Sequence, residues 1–225
     1  IQSLWSSEFT ALTTNNTLLN REVQKGIYDE LIARVADELG GLLSEEALVL
    51  ETAFVLNAHH ALRLHRRFGA RVSVELHTHL AEDVERTVWY GARYGEIGGD
   101  AFYVKVPLSA AGLLAARRLG EQGVPVNFTL GFSARENYLI AALARPGFVN
   151  VFLGRLNAFV ADNDLGTGEM VGEKATLSSR RHVAALREER GLPTRQIAAS
   201  MRDGAQVRAL TGVDVLTMPP KVARE

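Results

Sequence analysis

A single (β/α)8 barrel, an α/β fold, is what this sequence of 225 residues predicts, on three observations. Short apolar runs rich in β-branched residues alternate with longer amphipathic stretches, the rhythm of a parallel sheet with helices between its strands. No linker, low-complexity tract or break in composition interrupts that rhythm, so residues 1–225 read as one domain. Polar side chains recur on one face of successive runs, as on the inner surface of a barrel near its C-terminal rim. With 47% hydrophobic and 23% charged residues, the chain has the balance of a globular protein rather than a disordered or coiled-coil one.

Eight runs are candidate strands. The earliest, 1–5 and 11–15, are the weakest, whereas 72–76, 102–107, 126–130, 148–154, 196–201 and 213–218 are clearer. Ser44, followed by Glu45 and Glu46, opens a helix pattern running to Phe68, the acidic pair suiting the positive end of a helix dipole. Ser109 precedes a helix over 110–119, with Gly120 and Gly123 as stops. Ser133 and Glu136 make the S-x-x-E capping box of a helix over 134–144.

Strands covered by helices should be apolar outside and can be polar inside. Val72, Val74 and Leu76 leave Ser73 and Glu75 inside; Phe102, Val104 and Val106 leave Tyr103 and Lys105; Val126, Phe128 and Leu130 leave Asn127 and Thr129. Ile197, Ala199 and Met201 are expected outside, with Ser200 and Arg202 on the opposite face. The chain begins at Ile1 rather than methionine, which leaves room for a missing or processed segment, and the barrel is open to being incomplete at both termini. No signal peptide is visible.

A net charge of −1 argues against a nucleic-acid partner. No stretch approaches the roughly 20 apolar residues of a membrane helix. The absence of cysteine excludes disulfides and thiolate catalysis.

Lys105 is the most informative residue. It interrupts an otherwise apolar strand, and an amine in such a place gives up its proton more readily than a free one. A neutral amine attacks a carbonyl, the chemistry of Schiff-base lysines. A buried ion pair with Glu75 is the competing account. Glu75 and Thr129 would flank the lysine, where a carboxylate and a hydroxyl can hold a water and move protons. Arg155 and Arg202 each follow an apolar run and suit a phosphate clasped by paired hydrogen bonds, or else solvated arginines.

Five motifs resemble the transaldolase family, the Schiff-base barrels that include fructose-6-phosphate aldolase. They are Thr13-Thr14-Asn15-Asn16-Thr17-Leu18, Val72-Ser73-Val74-Glu75, Val104-Lys105-Val106-Pro107, Val126-Asn127-Phe128-Thr129-Leu130-Gly131-Phe132-Ser133 and Phe152-Leu153-Gly154-Arg155. The resemblance covers 12–219. It implies that Lys105 forms the Schiff base and that Glu75 and Thr129 hold the catalytic water. Asn15 and Asn127 would contact substrate hydroxyls or the imine; Arg155 and Arg202, with Ser200 and Asn150 nearby, would bind substrate phosphate. Glu75 and Phe152, where the aldolase branch tends to carry Gln and Tyr, favour the branch that transfers a dihydroxyacetone unit between sugar phosphates. No cofactor and no metal are implied; the partner is a small sugar phosphate, the location cytoplasmic, and a homo-oligomer is left open.

The resemblance has departures. The family's first-strand aspartate has no counterpart before Thr13, where Glu8 is the nearest substitute. Asn16 stands for a proline, Asn150 for a serine, and His77 and His79 follow Glu75 where Asp and Arg are usual. No closing helix follows the last run. Glu75, His77 and His79 share a face at strand spacing, which offers a metal-dependent hydrolase as another class, although His182 and Asp214 are poorly placed as further ligands. A fructose-6-phosphate-type aldolase or a Schiff-base enzyme on an unusual carbonyl substrate is an alternative within the resemblance, and a sugar-phosphate-binding barrel without turnover is one outside it. His59, His60 and His65 read as surface residues of a helix.

Overall fold

Seven parallel strands, ordered in the sheet as in the chain, form one curled sheet among the described residues. In the computed structural model, which describes residues 2–225, β1 (Ala11–Thr13) pairs with β2 (Arg71–Glu75), setting Thr13 opposite Ser73. β2 pairs with β3 (Phe102–Pro107), setting Glu75 opposite Lys105. β3 pairs with β4 (Val126–Thr129), setting Lys105 opposite Asn127. β5 (Phe148–Phe152), β6 (Arg195–Ala199) and β7 (Val215–Leu216) complete the order. The sheet curls far enough for Thr13 Oγ1 to lie 3.2 Å from Thr217 Oγ1, just past β7.

Helices pack outside. They are α1 (Asn16–Val23), α2 (Asp29–Leu39), α3 (Glu45–Phe68), α4 (Val84–Gly98), α5 (Ala110–Glu121), α6 (Ala134–Ala144), α7 (Leu153–Asp162), α8 (Val171–Arg190) and α9 (Gly204–Ala209). Ser44 caps α3, and Gly69 ends it in the left-handed region at φ 63°. Ser133 and Glu136 close the expected capping box on α6. Ser109 Oγ accepts from the Gly112 N–H at 2.9 Å, but α5 continues through Gly120, and the turn falls at Gly123, φ 79°. The outward residues of β2, β3 and β4 join Phe54, Tyr94, Ala115 and Leu119 in the largest apolar cluster, as the alternation predicts.

Two expectations fail. The first run, 1–5, is not a strand: Gln2–Leu4 is a short 3-10 helix, and Ile1 lies outside the described residues. Trp5 packs its ring on Phe9 and Phe68, at 5.7 and 4.8 Å between centroids, instead of alternating along a ladder. The eight-strand count therefore becomes seven among the described residues.

The second concerns β6, whose faces are reversed. Ile197 and Ala199 look inward, paired with Asn150 and Phe152 on β5, while Gln196 and Ala198 look outward. A buried polar cluster explains the reversal. Gln196 Oε1 accepts from Ser179 on α8 at 2.5 Å and from Asn137 on α6 at 3.4 Å, so an outward polar residue is satisfied by helices.

Candidate active site

Lys105 sits in the middle of β3 with its neighbours Val104 and Val106 buried on the opposite face. Only 7% of the residue is exposed. Its Nζ donates to the Thr14 carbonyl at 2.9 Å and to Glu75 Oε1 at 3.3 Å. Both sequence accounts of the lysine thus share one geometry, because the ion pair with Glu75 leaves Lys105 on the wall of a cavity. The other carboxylate oxygen of Glu75 accepts from the Asn16 N–H at 2.8 Å. Sequence reasoning missed this role. A proline at position 16 has no N–H to give, and the departure from the family's proline was the available signal.

The cavity is about 380 Å³ and opens at the C-terminal ends of the strands. Asn15, Lys105, Asn127, Thr129, Asn150, Arg155 and Ser200 line it, along with apolar groups that include Trp5, Phe9, Ile197 and Leu216. Glu75 stands behind the lysine and is not a wall residue. A larger depression of about 550 Å³ lies beside Glu85, Trp89 and Gln122 on the helical exterior, without lysine, histidine or converging amides.

The inner polar residues form a chain across the strands. Asn127 Nδ2 donates to Ser73 Oγ at 3.0 Å, and Asn150 Nδ2 donates to Asn127 Oδ1 at 3.2 Å. Asn150 Oδ1 is buried without a partner among the described residues, an acceptor left open beside the cavity. Thr129 is buried as well, two register pairs beyond the lysine towards the strand ends, opposite Pro107. Asn15 caps α1, its Oδ1 accepting from the Leu18 N–H at 2.8 Å, so its Nδ2 is the end free to face a ligand.

Arg155 and Ser200 reach the wall where the sequence placed them. Ser200 does so by another route, since the reversed β6 would turn it away. Its backbone takes φ 65°, and this left-handed turn redirects the chain after Ala199. Arg202 is exposed and outside the wall. Its side chain lies along Gly154 at the start of α7, where a Cβ would come within 3.0 Å of its Cγ and Nε. Arg155 and Arg202 therefore bracket the first turn of α7, whose free N–H groups favour an anion. Neither makes an ion pair with a carboxylate among the described residues.

The other proposed groups do not converge. Glu8 is exposed, and hydrogen bonding from Ser6 holds its carboxyl below the usual carboxylate range; it is not a cavity residue. His77 Nδ1 accepts from the His79 N–H at 3.3 Å, and the rings meet edge to face at 4.7 Å. Burial, then the nearby His79 charge, pushes His77 below the usual imidazole range. With Glu75 committed to Lys105 and Asn16, the carboxylate and the two histidines do not make a shared metal-binding group among the described residues. His60 is half-buried rather than a surface residue, 2.7 Å from the Tyr28 hydroxyl.

Comparison with protein families matches residues 1–225 to Transaldolase/Fructose-6-phosphate aldolase. The chain belongs to that family. A transaldolase from Xanthomonas euvesicatoria is 33% identical over 218 residues, covering 92% of this chain and 66% of its own length. A transaldolase from Chlamydia pneumoniae is 28% identical over 222 residues, covering 95% of this chain and 67% of its own length. A probable transaldolase from Thermus thermophilus is 33% identical over 197 residues, covering 87% and 76%. This member of the transaldolase family thus spans about two thirds of the length of the first two of these relatives.

Proposed function

We propose that the chain is a transaldolase-type transferase that moves a dihydroxyacetone unit between sugar phosphates through a Schiff base on Lys105. One observation carries the reading: a lysine residue 7% exposed, its amine held by a carbonyl and a carboxylate, on the wall of a polar cavity. The names of the relatives support the choice of substrate class.

In this mechanism Lys105 Nζ, as the free amine, attacks the ketone carbon of a ketose phosphate. The carbinolamine hydroxyl leaves as water, taking a proton relayed from Glu75 through a water held with Thr129. Removal of the C4 hydroxyl proton then breaks the C3–C4 bond. Its electrons pass into the iminium to give an enamine, and an aldehyde phosphate departs. Glu75 serves as base through the same water, since no carboxylate lines the cavity among the described residues. The enamine carbon adds to the acceptor's aldehyde carbon, and hydrolysis of the imine frees Lys105. Asn15, Asn127 and Asn150 orient the sugar hydroxyls, while Arg155, Ser200 and Arg202 bind phosphate at the start of α7.

The same reading takes residues 1–225 as one domain of the (β/α)8-barrel type, supported by the sequential strand order and the contact between Thr13 and Thr217. A cytoplasmic setting goes with the sugar-phosphate substrate. No helix among the described residues is long and apolar enough to cross a membrane.

Borohydride reduction with fructose 6-phosphate or dihydroxyacetone, followed by mass spectrometry, tests the proposal. A reduced adduct on the Lys105 peptide that vanishes in Lys105→Ala is expected. Folded wild-type protein without an adduct overturns it. Offering glyceraldehyde 3-phosphate or erythrose 4-phosphate then separates transfer from simple cleavage, which would release free dihydroxyacetone.

A further inference from the structure

Glu173 is 2% exposed, and no lysine, arginine or histidine pairs with it among the described residues. Such a carboxylate must be satisfied by hydrogen bonds. Two side-chain amides supply them. Gln206 Nε2 on α9 donates to Oε1 at 2.8 Å, and Asn157 Nδ2 on α7 donates to Oε2 at 3.0 Å. Each amide uses its oxygen on a backbone N–H. Gln206 Oε1 accepts from the Arg202 N–H at 2.7 Å, and Asn157 Oδ1 accepts from the Gly172 N–H at 2.6 Å.

One carboxylate therefore fixes which way both amides face. It also ties the segment carrying Arg202 to the helix carrying Arg155. The packing leaves little slack, because a Cβ on Gly172 would fall 2.3 Å from the Leu153 carbonyl at the start of α7. We propose that Glu173 is a positioning residue for the anion site, setting the spacing of Arg155 and Arg202 through Asn157 and Gln206. This rests on the reading of those arginines as the substrate's phosphate site.

Glu173→Gln tests it with almost no change of shape. The new amide sets a donor against one of two existing donors, and relief by flipping Gln206 would turn its NH2 onto the Arg202 N–H. The KM for fructose 6-phosphate is expected to rise about tenfold with kcat within about twofold. The inhibition constant of inorganic phosphate should rise in parallel, while borohydride trapping of dihydroxyacetone, which has no phosphate, stays unchanged. The exchanged pair Glu173→Gln with Gln206→Glu restores every hydrogen bond, one partner for the other, and should recover the KM. Should Glu173→Gln not fold, Gln206→Ala, at a half-buried site, should give the same selective rise. Loss of phosphorylated and unphosphorylated substrates in equal measure, an unchanged phosphate affinity, or no recovery in the exchanged pair overturns the assignment. Absence of a Lys105 adduct in the wild type would instead strike the proposed function itself.

Discussion

From β2 to β5 the inner surface of the sheet is polar and cross-linked, with Asn150 bonded to Asn127 amide to amide, Asn127 to the Ser73 hydroxyl, and Lys105 to Thr14 and Glu75. On β6 and β7 the cavity is walled instead by Ile197, Ala199 and Leu216. A buried amine needs partners that hold it without neutralising its access to a ligand, and hydrogen bonds from adjacent strands give that with fixed direction. The apolar wall has no directional demands and serves to shape the cavity and keep water out. The polar groups of β6 go outward, where Gln196 binds Ser179 and Asn137. Polar groups on the two sides are thus satisfied differently, along the cavity wall within the sheet and by helix packing behind it.

Lys105→Ala breaks the contrast most severely. Turnover should fall by about a thousandfold or more, with the borohydride adduct lost and the circular dichroism spectrum kept; an adduct that persists would move the nucleophile elsewhere. Glu75→Gln retains the shape beside the lysine and removes the proton relay, so kcat should drop about a hundredfold. Single-turnover kinetics would locate the slowed step, and wild-type kcat would reduce Glu75 to an ion-pair partner.

The outward cluster should behave in the opposite way. Gln196→Leu leaves Ser179 and Asn137 short of a buried acceptor, which costs about 2 kcal/mol of stability. Urea unfolding should show the loss, with the kcat of the folded protein unchanged. Ser133→Ala, which opens the capping box of α6, should cost about 1 kcal/mol and leave trapping at Lys105 untouched. Altered trapping in either variant would mean that the helical layer and the inner surface are coupled.

Much of the site was legible because strand period and residue chemistry are local. Val104 and Val106 mark the outer face of β3, and Lys105 must then point inward. The same rule failed on β6, where Gln196 is as buried as a valine and only its helical partners reveal the direction. For Arg202 the sequence left a phosphate ligand and a solvated arginine both open, and only the structure shows it exposed and lying along Gly154. The support from Asn16 was legible only as a departure from the family's proline, and that from Glu173 not at all, since hydrogen bonds between residues distant in sequence leave no spacing to read.

The sequence by itself determined the parallel α/β architecture, the capped helices α3, α5 and α6 and the inward lysine, because propensity, capping and alternation act over a few residues; the family came from the resemblance of its motifs. Only the tertiary structure decided that the first run forms no strand, that β6 turns its polar face to α8, and that Ser200 reaches the cavity through a left-handed turn. Those outcomes depend on partners outside the local stretch, Phe68 for Trp5 and, 17 residues away, Ser179 for Gln196. Burial and hydrogen-bond satisfaction there outweigh the local pattern.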